Sequence, residues 1–289
     1  MDPISNFNFN LNVKHQNILP NSVHRLSYIN FLYINAQSLR NSLTDLQDFI
    51  DSLNYSIHVV LVTETWIKEI DKKYYNLINF TAFHSTRPNG NGGGVSVFIN
   101  ENFDTGNVIY EESINNNNIL LVSLIKHQLN VAVCYRQPNN SLDMNCSIFL
   151  NKLDILLNAH KKIFFFGDYN INIFNKSTTV NDYMNVIQSN GHIFLNNQSN
   201  EYPTRVSDRF NSNTCIDHIF TDYHYHKNDL SYNMFYFDNI GDHRNIILNI
   251  VKEQQVADDK KNKSYKIINN SHIYNTKSLE KIDADSFDT

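Results

Sequence analysis

The chain has 289 residues, 41% hydrophobic and 18% charged, with Lys+Arg 24 against Asp+Glu 29 and a formal net charge of −5. That length allows one large domain or two small ones, and the apolar share excludes wholesale disorder. A net acidic chain does not hold nucleic acid by charge alone, so any such binding must be local: a basic rim, a metal, or both.

Cys134, Cys146 and Cys215 are odd in number, far apart and form no CxxC pair. They argue against a disulfide framework or a zinc knuckle and suit a reducing compartment. No apolar run approaches the ~20 residues of a membrane span. Met1-Asp2-Pro3-Ile4 lacks a basic-then-apolar signal pattern, so the expectation is a soluble, intracellular protein with no membrane partner. Asparagine runs such as 115–118 read as compositional bias in loops.

Residues 1–25 are Asn-rich and weakly patterned and read as a loose leader. Residues 28–34 read as a first strand, rich in aromatic and β-branched side chains. Ser38 then reads as the N-cap of a helix whose core face is Leu39, Leu43, Leu46, Phe49, Ile50 and Leu53. A buried strand at 58–62 runs into Thr63-Glu64-Thr65-Trp66, and 80–84 reads as another. A glycine-dense loop over 87–94 precedes an alternating strand at 95–99. Strands at 119–125 and 129–135 pair as a hairpin, ending in Tyr135-Arg136-Gln137-Pro138.

Phe149, Leu150, Leu153, Leu156 and Leu157 mark an amphipathic helix. The apolar run at 163–166 is a buried strand, with Gly167 read as a sharp turn at its end. Asp168 and Asn170, two apart, then face the same side of an extended segment. A shorter helix at 182–189, a turn at 202–205 and a strand at 215–220 with Asp217 in its middle follow. Strands at 232–237 and 246–251 close the domain, and the composition turns charged and polar from 252 on. The pattern predicts an α/β (α+β) domain over 26–251, a two-sheet β-sandwich flanked by helices, with a polar tail over 252–289.

Acidic and amide residues recur at strand ends: Asn35, Glu64, Asp168 with Asn170, and Asp242 with His243. Asp217 interrupts an apolar strand and needs a partner there. Each has a local explanation alone; together they point to one rim where neighbouring strand ends converge.

The set resembles the endonuclease/exonuclease/phosphatase superfamily, with its four-layer deoxyribonuclease I-like fold. Within it the chain is most similar to the apurinic-type endonuclease domain of non-LTR (LINE-like) retrotransposons. The residues that carry the resemblance are Asn35-Ala36-Gln37-Ser38, Thr63-Glu64-Thr65-Trp66, Gly92-Gly93-Gly94-Val95, Tyr135-Arg136-Gln137-Pro138, Gly167-Asp168-Tyr169-Asn170, Ile216-Asp217-His218-Ile219-Phe220 and Gly241-Asp242-His243. They occur in the family's order over residues 28–250. One departure is Gly241, where the family usually places serine. Residues 265–289 resemble the linker before reverse transcriptase in such polyproteins.

The resemblance implies phosphodiester hydrolysis on double-stranded DNA: one strand is nicked, leaving a 3′ hydroxyl that primes reverse transcription. It implies a monomeric domain fused to or acting with a reverse transcriptase, in the nucleus by virtue of its substrate. Converging carboxylates would repel by about 4 kcal/mol per pair at ~4 Å and an effective dielectric of 20, so a cation belongs among them. Oxygen ligands favour Mg²⁺, or Mn²⁺, over Zn²⁺. Glu64 is the expected main ligand, with Asn35 and Asp242.

By the same resemblance Asp168 orients or deprotonates water and Asn170 donates to a phosphoryl oxygen. Asp217 holds His243, which contacts the scissile phosphate, and Tyr135 offers its phenol. Arg87, Arg136 and Arg205 are expected on DNA backbone, with Thr204 near the phosphate. His84 and His218 read as structural, and Trp66 as packing rather than base stacking. The competing readings are an abasic-site repair endonuclease, a phosphatase or phosphodiesterase of the same fold, and an inactive interaction module.

Overall fold

The structure, a computed structural model, describes residues 27–87, 92–114, 117–138, 143–195, 203–207, 212–222, 230–235 and 242–252. The expected leader, the tail beyond Lys252 and Gly241 lie outside the described residues. No helix among the described residues is long and apolar enough to cross a membrane.

β1 (Ser27–Asn35) leads through α1 (Leu39–Ser52) into β2 (Val59–Thr63), which lies parallel to β1. β3 (Phe80–Ser85) and β4 (Val95–Asn100) extend that sheet. β5 (Gly106–Ile114), β6 (Asn117–Leu124) and β7 (Leu129–Tyr135) form an antiparallel meander. α2 (Asp143–Ala159) then crosses to β8 (Ile163–Asp168), parallel to β7. After α3 (Thr178–Ser189) come β9 (Ile193–Phe194), the short pair β10 (Arg205–Ser207) and β11 (Ser212–Thr214), and β12 (Asp217–Thr221). β13 (Leu230–Phe235) and β14 (Asn245–Lys252) return to the first sheet. The two six-stranded sheets have the orders β13-β14-β1-β2-β4-β3 and β5-β6-β7-β8-β12-β9.

The period of two along each strand explains the layers. Phe31 and Tyr33 of β1 meet Phe164 and Phe166 of β8 in the core between the sheets. Leu32 and Ile34 point the other way, onto Leu39, Leu46, Phe49 and Ile50 of α1. Ile163 and Phe165 do the same beneath Leu153 and Leu157 of α2 and Tyr183 and Ile187 of α3. Central strands buried on both faces read as unbroken apolar runs, which is how the 59–62 and 163–166 strands look in sequence. The result is the expected helix–sheet–sheet–helix sandwich.

Several local expectations are corrected. Gly167 is no turn: it lies inside β8 opposite Cys134 and His218, and a Cβ there would run into the Cys134 carbonyl oxygen. The glycine permits close backbone approach. Ser38 precedes α1 but makes no side-chain cap bond and sits at φ 103°. Val95–Asn100 does not alternate in burial, because α1's layer covers its outer face as the core covers its inner one. Asp217 opens β12 rather than interrupting it. Asn118 is no loop residue: it is buried in β6, accepts from the Gly94 amide at 3.0 Å and donates to Ser85 Oγ.

Candidate active site

Both parallel steps deliver their C-terminal ends to one rim, where ligands bind in open α/β sheets. In the second sheet Tyr135, Asp168 and Asp217 occupy one row across β7, β8 and β12. In the first sheet Asn35 and Thr63 end β1 and β2 side by side. Asn35, Glu64, Asp168, Asp217 and His243, spread over more than two hundred positions, meet there.

Asn35 joins the sheets. Its Nδ2 donates to Glu64 Oε1 at 3.1 Å and Asp168 Oδ2 at 3.0 Å, and lies 3.5 Å from His243 Nε2. Its Oδ1 accepts from the Gln37 amide at 3.3 Å, which turns the carboxamide nitrogen toward the carboxylates. Asn35 was expected as a cation ligand through oxygen; here its nitrogen braces the acids instead.

Asp217 is buried and bonded on both oxygens: Tyr33 Oη donates to Oδ1 at 2.7 Å, and His243 Nδ1 lies 2.8 Å from Oδ2. Burial alone would push the His243 imidazole down, but the Asp217 carboxylate and its hydrogen bond outweigh that, and the group titrates at about 9. It is therefore an imidazolium at neutral pH, with Nε2–H aimed into the rim. Asp168 accepts from the Asn170 amide at 3.0 Å. Burial first, and then the nearby Asp217 carboxylate, hold its carboxyl well above the usual carboxylate range, although His243 pulls it down. Ligand atoms of Glu64, Asp168 and His243 all lie within 4.8 Å of one another.

Left-handed backbone concentrates at this rim: Gln37 (φ 42°), Glu64 (51°), Trp66 (55°) and Asn170 (48°). Such conformations in non-glycine residues cost of order 1–3 kcal/mol each and persist where the surroundings impose them.

The remaining expected residues divide. Tyr135 faces the site, its phenol pushed up by burial and then by the Glu64 and Asp168 charges, with the Arg87 guanidinium 5.4 Å from its ring centroid. Asn170 lies beside Asp168 and donates Nδ2 to the Arg136 carbonyl at 2.7 Å. Asp242 stands at the edge, 3.7 Å from His243 Nε2, and its oxygens accept from Arg205 Nε and Gln37 Nε2, both at 2.8 Å. Arg205 is half-exposed.

Two expected DNA contacts are placed elsewhere. Arg136 is 5% exposed and donates to the carbonyls of Tyr169 at 2.6 Å and Asn170 at 2.8 Å. Thr204 is fully buried, and its Oγ1 accepts from the amides of Ile216 and Asp217, both at 3.0 Å. Each holds a loop that presents a site carboxylate. Trp66, read as packing, is 47% exposed beside Glu64. His84 bonds Ser96 and His218 bonds Tyr183 and the Cys215 carbonyl, within the fold.

Sequence reasoning missed Tyr33 and Gln37. The period of two could have found Tyr33, which shares a strand face with Asn35.

The family model described as Endonuclease/Exonuclease/phosphatase family matches residues 9–242. No curated protein sequence matches the chain. The fold is similar to that of the endonuclease domain of TRAS1, a telomere-specific non-LTR retrotransposon, at 15% identity and TM-score 0.59, covering 78% of this chain and 98% of that one. It is also similar to the 3′ phosphatase NExo from Neisseria bound to a product DNA hairpin (12% identity, TM-score 0.62, 77% of this chain and 99% of that one). The AP endonuclease LMAP from Leishmania major aligns at 11% identity and TM-score 0.60, over 80% of this chain and 92% of that one.

Proposed function

We propose that this chain, which belongs to the endonuclease/exonuclease/phosphatase family, is a divalent-cation-dependent DNA endonuclease that nicks one strand and leaves a 3′ hydroxyl. We further assign it as the endonuclease of a non-LTR retrotransposon, acting with a reverse transcriptase. The observation that carries the reading is the meeting of Glu64, Asp168 and His243 at one rim, with His243 clamped by buried Asp217.

The residues present fit a hard cation. The Glu64 and Asp168 carboxylates bring oxygen atoms within 4.8 Å of one another beside His243, and after burial it is the Asp217 charge, with Glu64 behind it, that raises the Asp168 carboxyl. Glu64 is the side chain that would hold the ion, with Asp168 alongside; Mg²⁺ and Mn²⁺ suit the oxygen donors. When bound, such an ion supplies charge for the phosphoryl oxygens and the departing 3′ oxygen.

The chain's own residues do the rest. Asp168, its carboxyl held above the usual carboxylate range by burial and then by Asp217, is the group placed to take a proton from the attacking water. Asn35 and the Asn170 amide fix its two oxygens. His243, kept cationic, donates from Nε2 to a phosphoryl oxygen, and Asp217 keeps that imidazole in orientation. Asn170 and Tyr135 add donors from the second sheet. Of the three arginines expected on the DNA backbone, Arg87 and Arg205 are the two that are part-exposed at this rim.

The family likeness to an AP endonuclease and a 3′ phosphatase sets the test. Purified chain with Mg²⁺ is given supercoiled plasmid, an abasic-site duplex, a 3′-phosphorylated hairpin and an inositol phosphate. The reading expects nicked circles whose ends a polymerase extends directly. Turnover of the abasic duplex alone would make it a repair enzyme, and turnover of the inositol phosphate alone a phosphatase.

A further inference from the structure

Trp66 is the chain's single tryptophan and remains 47% exposed, although its neighbours Thr65 and Ile67 are buried. Its left-handed φ of 55° is an outlier for a bulky side chain. The surroundings that impose it can be named. Trp66 N donates to the Gly93 carbonyl at 2.9 Å, and Thr65 N to that of Gly94 at 3.2 Å. Gly94 is at φ +82°, and a Cβ there would meet Thr65 Oγ1 at 2.6 Å, so the strap is glycine by necessity.

Among the described residues the indole is hydrogen-bonded at one edge. Its Nε1 donates to Glu64 Oε2 at 3.3 Å. On the other side of the strap a Cβ at Gly93 would collide with the Arg87 guanidinium, which itself lies over the Tyr135 ring. The lip of the site thus runs indole, glycine strap, guanidinium, phenol. Half-exposed tryptophan forgoes the burial that normally fixes so large a side chain, and the strained backbone holds it outward.

We propose that Trp66 is a stacking platform for a nucleobase next to the scissile phosphate, with Arg87 taking the adjoining backbone phosphate. The proposal rests on the DNA-endonuclease reading and deepens it. An aromatic face stacks any base without reading its edges, and stacking requires the base to leave its own duplex neighbours. The favoured substrate is therefore DNA that yields a base cheaply: a pyrimidine–purine step, a mismatch or a single-stranded junction.

Because Trp66 is the only tryptophan, its fluorescence reports directly. Full-length chain in EDTA is titrated with single-stranded oligo(dT) and with a charge-matched, base-free deoxyribose-phosphate oligomer of equal length. Saturable quenching by oligo(dT) alone is expected; equal quenching by both overturns the proposal. Binding measured by anisotropy should weaken about 10- to 100-fold in Trp66→Leu, the size of one base–aromatic stack, and by less than about threefold in Trp66→Phe. Phenylalanine keeps the ring and loses the N–H, so a Phe variant as weak as Leu would reduce Trp66 to a prop for Glu64 and sink the stacking role. Plasmid nicking on the same preparations separates the two readings. Nicking without base-dependent quenching removes the platform alone, whereas base-dependent quenching without nicking removes the endonuclease and leaves the platform.

Discussion

Asp217 Oδ2 stands 2.8 Å from His243 Nδ1, both side chains buried, across the junction between the second sheet and the loop leading to β14. The first prediction comes from this pair. With His243 at about 9, the imidazolium persists through neutral pH and is lost as pH rises through that value. In Asp217→Asn the carboxylate's support disappears, so the descending limb of the nicking profile moves down toward the ordinary histidine range near 6.5. Turnover at pH 7.5 falls about 10²–10³-fold, the usual cost of losing one oriented donor. An unmoved limb contradicts the role given to Asp217.

Thr204 and Arg136 are predicted to act on stability, not on DNA contact. Thr204→Val orphans two buried amides, each worth about 1–3 kcal/mol, while Thr204→Ser keeps the acceptor. Urea unfolding of both variants checks this. The salt dependence of DNA binding should keep its slope in Arg136→Gln and lose roughly one unit of phosphate contact in Arg205→Gln or Arg87→Gln.

A divalent cation should stabilise the fold through Glu64 and Asp168. At a hundred times its Kd, Mg²⁺ adds about 2.7 kcal/mol, read as a rise in Tm that Glu64→Gln abolishes. Asp168's folded carboxyl is raised, chiefly by burial and Asp217, so the proton competes with the cation at unusually high pH. The Mg²⁺-dependent rise therefore shrinks as pH falls, and begins to do so above the usual carboxylate range. A pH-independent rise would place the ion elsewhere.

His218 is buried, bonded to Tyr183 and the Cys215 carbonyl, and stacked on Tyr169; burial holds its imidazole down at about 4. Folding therefore favours the neutral ring. The unfolded chain takes up a proton below about 6.5 while the folded one does not, so stability falls between about pH 6.5 and 4. His218→Gln should remove its share of that slope, on the order of 3 kcal/mol across the window, and leave the share of the similarly lowered His58 and His84. Parallel pH dependences of wild type and variant would contradict it.

The architecture was legible because its central strands are buried on both faces and its helices on one. Ile163 to Phe166 and Val59 to Val62 are unbroken apolar runs, and Leu39, Leu46, Phe49 and Ile50 fall at helical spacing. β5 escaped notice because its outer positions, such as Glu111, are exposed and mix charge with aromatic side chains. Gly167 reads as a turn in sequence because a glycine's two uses, positive φ and close approach, look alike in one dimension.

The candidate site was legible as a set of residues but not as a set of jobs. Spacing placed Asn35, Glu64, Asp168 and His243 at strand ends and Asp217 inside a strand. It could not tell which side of Asn35's carboxamide faces Glu64, nor that Asp242 is already bonded by Arg205 and Gln37. A basic residue after a strand suggests solvent, yet Arg136 turns inward because the Tyr169 and Asn170 carbonyls lack strand partners where β8 ends. Such choices depend on which backbone groups the fold leaves open, and those are set by neighbours far away in sequence.

The most direct test of the shared rim is Mg²⁺-dependent nicking of supercoiled plasmid by wild type, Glu64→Gln, Asp168→Asn and His243→Asn, each confirmed as folded by thermal unfolding. The account predicts extendable 3′-hydroxyl nicks from wild type and at least a hundredfold loss in all three variants. Wild-type rates in any folded variant, or EDTA-insensitive nicking, would contradict it.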